Sequence, residues 1–293
     1  MPGWPLAYAS GVNRCLMAVH AHPDDECIST GGILARYGAE GVRTVLVTCT
    51  DGAVGEISDP ALATPENLAA VRARELDASV AILGIGRSER LGYRDSGMAG
   101  TSDNQNPASL AQADLAVPIE HVVGLMRQER PQVVVTYDAN GGYGHPDHIR
   151  AHQIAVAAFA AAGDAQQFPH AGEPWTPSKL YYAVFPRSGM ARMAERLRAA
   201  GFEVPFGDAK PGDDDAARFG VSDDQITTTV DVSAYVDAKR RSLEAHRTQM
   251  GPEQFFMRLP AEFFREIFGR ETFQRVNGPG PAHSETDLFA DLD

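Results

Sequence analysis

The 293-residue chain is 43% hydrophobic and 22% charged, with 28 Gly and 19 Pro, a globular composition that excludes a fibrous or disordered protein. Its 26 Lys and Arg against 39 Asp and Glu leave a net charge of −13, which repels polyanions and argues against nucleic acid as a partner. No apolar run approaches the roughly 20 residues of a membrane span, and Met1 to Val12 lacks the basic start and apolar stretch of a signal peptide, so the chain reads as cytoplasmic, with no membrane partner.

The first element is Cys15–Ala21 (CLMAVHA), an apolar run that stops at His22-Pro23-Asp24-Asp25 and has the length of a buried strand. Ile33, Leu34 and Tyr37 then fall at helical spacing over Ser29–Glu40, with Ser29 or Thr30 as cap and Gly38 and Gly41 at the end. Val42–Thr50 (VRTVLVTCT) is rich in β-branched residues and runs into the Asp51-Gly52 turn. Strand, helix and strand in one run make a βαβ unit, whose right-handed crossover sets the strands parallel and any ligand beyond their carboxyl ends. Helices follow over Pro65–Leu83 and Pro118–Gln128. Gln132–Tyr137 (QVVVTY) is nearly all β-branched, as a strand covered on both faces is, and it leads into the loop Asp138–Gly144.

The alanine-rich stretch from His148 to Ala162 reads as a helix, Lys179–Phe185 as a strand and Met190–Ala200 as another helix. Residues 201–224, rich in Gly, Asp and Pro, read as an exposed loop. Gln225–Val232 reads as one more strand, and Ala234–Thr248 and Pro252–Phe268 as helices, the last carrying Phe255, Phe256, Phe263, Phe264 and Phe268. The expectation is a single domain over 1–293 of α/β class. A Rossmann-like, mostly parallel sheet with helices on both faces occupies 1–200, and the C-terminal strand and helices of 225–293 shape the pocket. Cys15, Cys27 and Cys49 form no Cys-x-x-Cys pair and read as reduced thiols.

Two strand-end loops carry the chemistry: His22-Pro23-Asp24-Asp25 and His145-Pro146-Asp147-His148. A single His-Pro-Asp turn is more often a capped helix start. Two of them, each after a buried strand, bring three histidines and three aspartates to one rim despite about 120 residues of separation. Imidazole and carboxylate suit zinc or iron(II), and a catalytic zinc takes three protein ligands and keeps one position open. His148 and His152 share a helix face, but Ile149 stands where the zinc-protease motif needs its Glu base. A dinucleotide reading also fails, because the loop after the first strand has no Gly-x-Gly-x-x-Gly.

Ala21-His22-Pro23-Asp24-Asp25-Glu26, together with Tyr137-Asp138 and Gly141-Gly142-Tyr143-Gly144-His145-Pro146-Asp147-His148, resembles the LmbE-like, or PIG-L, family of zinc-dependent N-acetylglucosamine deacetylases. Within that family the chain is similar to the mycothiol enzymes. Arg94–Thr101 looks like the biosynthetic deacetylase, whereas Gly172–Thr176 and Glu285–Phe289 look like the mycothiol S-conjugate amidase. The resemblance implies zinc, with iron(II) as the alternative, on His22, Asp25 and His148, and Asp24 as general base. It places His145 as oxyanion stabiliser or proton donor, Asp147 to orient the His145 ring, and Tyr143 as a further donor. Arg72 and Asp95 match positions facing the sugar, Glu56 lies after the second strand on the same rim, where it either contacts sugar hydroxyls or is simply exposed, and His246 lies in a segment near the pocket. Cys27 reads as a thiol packed behind the metal loop. The implied activity is hydrolysis of an N-acetyl group from a glucosamine-containing small molecule resembling N-acetylglucosaminyl-inositol. Amide cleavage in a mycothiol-type S-conjugate is the first alternative and sugar binding without turnover the second; homo-oligomerisation stays open.

Overall fold

Six consecutive buried residues, Cys15–His20, form strand β1. In the computed structural model, which describes residues 14–204, 220–280 and 283–292, β1 pairs in parallel with β2 (Arg43–Thr50) on one edge and β4 (Val133–Thr136) on the other. A strand flanked on both edges and covered on both faces has no position left for a solvated side chain. Leu16 and Ala18 face one apolar cluster with Ile33, Leu34 and Leu76. Met17 and Val19 face another with Val122, Met126, Ile154 and Ala158. The two-residue period of the strand thus divides its side chains between two helical layers. α2 (Gly31–Ala39) and α3 (Leu68–Leu83) supply one layer, and α4 (Ala116–Glu129) and α5 (Pro146–Ala161) the other. The one-turn helix α1 (Asp25–Ser29) lies between β1 and α2.

The sheet has seven strands in the order β3-β2-β1-β4-β5-β7-β6. β3 (Arg87–Tyr93) pairs in parallel with β2 and β5 (Lys179–Val184) with β4; α6 (Arg187–Ala199) follows β5. The C-terminal part differs from its expected form. Besides β6 (Thr228–Asp231) and α7 (Val236–Ala245) it contributes β7 (Arg270–Asn277), which pairs antiparallel with both β5 and β6 and so extends the main sheet. The helix expected over Pro252–Phe268 is two, α8 (Phe255–Arg258) and α9 (Ala261–Phe268). They part at Leu259 and Pro260, whose ring cannot sit inside a helix. Phe264 and Phe268 pack with Cys27, Leu197, Val236 and Leu243, behind α1. Of the expected loop 201–224, residues 205–219 lie outside the described residues. No helix among the described residues is long and apolar enough to cross a membrane.

Glu285 ties the added strands to the core. Its carboxylate accepts from Lys179 Nζ at 2.8 Å, Tyr181 OH at 3.0 Å, Thr228 Oγ1 at 2.6 Å and Arg275 Nη1 at 2.7 Å, joining β5, β6 and β7. Burial alone would raise its pKa, but the bonds from Lys179, Thr228 and Tyr181 hold it below the ordinary 4.5. A lowered carboxylate stabilises the fold above its unfolded pKa, and the contribution fades as pH falls from 4.5 through the lowered value. Glu285→Ala strands two buried cations, so we expect a loss of about 3–5 kcal/mol. Urea midpoints at neutral pH check this, and the gap between wild type and variant should shrink on acidification through that window.

Candidate metal centre and active site

Both His-Pro-Asp loops stand at carboxyl ends of central strands, β1 and β4. In the first, Asp25 Oδ2 accepts from the His22 backbone N–H at 2.7 Å and closes the turn. In the second, His145 caps α5, its Nδ1 accepting from Asp147 N at 3.1 Å, with Pro146 in the first helical turn. α5 therefore begins at the site and carries His148 on its first turn. Gly141 lets the preceding loop close on it: a Cβ there would stand 2.5 Å from His148 Cβ, and the residue has φ +64°.

Four acceptor atoms from three residues converge between the loops. His22 Nδ1 lies 3.2 Å from His148 Nε2, Asp25 Oδ2 lies 3.3 Å from His22 Nδ1, and Asp25 Oδ1 lies 3.4 Å from His148 Nε2. Their neighbours fix the tautomers. His22 Nε2 donates to Asp147 Oδ2 at 3.2 Å and His148 Nδ1 donates to Gly141 O at 3.0 Å. A neutral imidazole has one N–H, so both inward nitrogens present lone pairs, to each other and to a carboxylate. That arrangement calls for a cation. A tetrahedral metal bound at about 2.0–2.1 Å has ligand-to-ligand edges of roughly 3.3–3.4 Å, the spacing found here. His22 and His148 each donate their outer N–H to a carboxylate or carbonyl, as metal-binding histidines do.

The electrostatics agree. Burial would lower the His22 pKa, but bonds with Asp147, Asp25 and Asp95 carry it well above the ordinary 6.5, so the pocket favours positive charge at this ring, a proton on Nδ1 or a metal ion in its place. Burial and the neighbouring His22 push His148 down to about 4, which keeps it unprotonated. Burial would raise Asp25, yet His148 and His22 hold it well below 3.8. Beside the trio, Asp24 is raised to about 6, chiefly by burial and against the pull of Arg72. That value lies near neutrality, where a general base works best.

Among the described residues three groups of metal-capable atoms lie within 4.8 Å of one another, His22/His145/His148, His22/Asp95/His145/Asp147 and, behind the loop, Glu26/Cys27/His246. In the first two, His145 Nδ1 is already engaged by Asp147 N, and in the second the Asp147 oxygens are held by Ser96 N at 2.8 Å, Ser96 Oγ and His22. Because His145 Nδ1 accepts from Asp147 N, its neutral ring carries the proton on Nε2. Asp147 was expected to orient the His145 ring. It does so by its backbone N–H, and the carboxylate instead orients His22.

Arg72 and Asp95 also depart from the expected sugar-facing pose. Arg72 is 3% exposed. Its guanidinium is bound to Pro23 O at 2.5 Å, Gly52 O at 2.9 Å and Asp24 Oδ2 at 3.0 Å. Asp95 Oδ1 accepts from Gly97 N at 2.8 Å and lies 3.7 Å from His22 Nε2. Both heads are drawn inward by buried partners of opposite charge or polarity. Glu56 is exposed at the edge of the site, where its carbonyl accepts from Gln249 Nε2 and the adjacent Gly55 packs against Arg72. Tyr143 is exposed beside the site, with its ring edge-on to His148 and the centroids 4.9 Å apart. Cys27 is buried behind the loop with its Sγ on Glu26 and Ser79. The C-terminal part reaches the site through His246–Gln249, where Thr248 binds Glu75 and His246 binds Glu26.

Tyr137, whose role no sequence pattern revealed, holds two of the candidate ligands at once. Its ring stacks on His148 at 4.2 Å and 22°, and its hydroxyl is bonded to Ala21 N and Asp25. The available signal was a polar ring closing an otherwise apolar strand. Ser96, which fixes Asp147, gave no signal beyond its place in the Asp-Ser-Gly-Met turn.

A family model described as "PIG-L: GlcNAc-PI de-N-acetylase" matches residues 17–159, the span that holds both loops. The 1D-myo-inositol 2-acetamido-2-deoxy-alpha-D-glucopyranoside deacetylase of Thermobifida fusca is 43% identical over 291 residues, covering 95% of this chain and 99% of the relative. The chain belongs to the PIG-L family. The Geodermatophilus obscurus protein of the same description is 42% identical over 96% of this chain and 98% of its own length. Among solved structures, N,N'-diacetylchitobiose deacetylase from Pyrococcus horikoshii shares the fold with TM-score 0.62 at 20% identity, covering 95% of this chain and 86% of that one. Membership makes the chain an N-deacetylase, an amide hydrolase, and the PIG-L deacetylases are metal-dependent.

Proposed function

We propose that this chain removes the acetyl group from a small glucosaminyl-inositol, the substrate class named for its relatives, with zinc held by His22, Asp25 and His148. The observation that carries the reading is the convergence of acceptor atoms from His22, Asp25 and His148, each residue within 3.4 Å of the other two, beside Asp24. Zinc in that place supplies a Lewis acid that polarises the amide carbonyl and acidifies water. Asp24 accepts the proton of the attacking water, with Oδ2 held by Arg72 and Oδ1 left for the transfer. His145 presents its Nε2–H to the developing oxyanion, and Asp24 passes the proton it took from water to the leaving amine. Tyr143 supplies a second donor at the mouth. The amide C–N bond breaks, acetate leaves with the water oxygen, and the amine leaves with the added proton. Glu56, the exposed carboxylate on the rim, takes sugar or inositol hydroxyls.

Binding without turnover leaves the raised Asp24 and the donor tautomer of His145 without purpose. Amide cleavage in a mycothiol S-conjugate uses the same residues on a larger acyl group, so specificity is decided by rates. We expect kcat/KM for the N-acetylglucosaminyl-inositol to exceed that for a mycothiol S-conjugate at least about tenfold, or 1.4 kcal/mol in transition-state binding. A tenfold preference for the conjugate reverses the assignment of substrate and leaves the chemistry standing.

A further inference from the structure

Asp24 has φ +124° and ψ −25°. The other non-glycine residues with positive φ among the described residues lie between 47° and 62°, in the small left-handed well that L-residues do visit. Asp24 lies outside it. Such a conformation persists only when its surroundings over-determine it.

The surroundings are a clamp on one peptide unit. The Pro23 carbonyl accepts from Arg72 Nη2 at 2.5 Å, and the N–H of the same peptide, on Asp24, donates to Glu26 Oε2 at 2.9 Å. Glu26 is fully buried. Its other oxygen accepts from His246 Nε2 at 2.7 Å, Ser79 Oγ at 2.6 Å and Cys27 Sγ at 3.0 Å. Three donors on Oε1 leave the carboxylate one orientation, with Oε2 on Asp24 N. His246 is itself fully buried, stands at the C-terminal cap of α7, and its Nδ1 has no partner, so Glu26 alone orients the ring.

We propose that His246 and Glu26 are positioning residues for the reaction. Through the Asp24 N–H they hold the backbone in the one conformation that sets the carboxylate beside the metal ligands. The inference rests on the reading of Asp24 as general base. It gives the C-terminal part of the chain a part in catalysis, because α7 delivers His246 from 220 residues away.

The test uses the zinc-loaded full chain, with kcat, KM and bound metal measured for each variant. His246→Leu lowers kcat by about tenfold to a hundredfold, the scale of a misplaced catalytic group, with KM and metal content unchanged. His246→Gln, whose amide donates to the same oxygen, restores most of kcat. In an Asp24→Asn background His246→Leu lowers kcat less than about twofold further, since the group it positions is gone. Should His246→Leu fail to fold, Ser79→Ala removes another donor from Oε1 and shows the same pattern at about threefold to tenfold. The proposal is overturned if kcat of the folded variant stays within twofold of wild type, if the loss appears as lost metal or raised KM, or if the two losses multiply in the double variant. Full activity in Asp24→Asn alone overturns the base assignment instead.

Discussion

Asp24→Asn keeps its metal and loses about 10²- to 10⁴-fold in kcat, the usual contribution of general acid–base catalysis. Asparagine retains the shape and the backbone N–H that Glu26 holds, and its side-chain oxygen still accepts from Arg72. It cannot take a proton. The converging acceptor atoms belong to His22, Asp25 and His148, so metal analysis of the variant should match wild type. Metal lost from Asp24→Asn but kept by Asp25→Asn would exchange the roles of the two aspartates.

His148→Ala has the opposite signature. It removes Nε2 from the converging trio and leaves His22 and Asp25, so zinc affinity falls by more than the 10- to 100-fold typical of losing a partner behind a ligand, and activity falls with it. Tyr137→Leu provides the comparison. It leaves every ligand atom in the chain but removes the ring stacked on His148 and the hydroxyl on Asp25, so affinity drops by about 10- to 100-fold. Competition against a chromophoric chelator measures both. Equal losses would mean that His148 is no ligand.

The sequence carried β1, β2 and β4 openly, because strands covered on both faces are rich in apolar and β-branched side chains and end abruptly at Pro, Gly and Asp. It also carried both metal loops, since each is a compact motif at such an end. β3 escaped because an edge strand tolerates RSERLGY. β7 escaped because two of its inward residues, Glu271 and Arg275, are charged. Their partners Lys239 and Glu285 become visible only after folding. Arg72 and Asp95 show the same limit within the site. Their positions near the metal loops were legible, but the inward turn of their heads depends on Pro23 O, Gly52 O and His22, which no spacing in the chain encodes. His246 needed its contact with Glu26 to gain a role.

The most direct measurement is a titration of metal-stripped protein with zinc while acetate release from N-acetylglucosaminyl-inositol is followed. Activity should be absent at the start, rise in proportion to added zinc, level off at one ion per chain and vanish again with excess chelator. Full turnover by protein shown by elemental analysis to hold no metal would contradict the account.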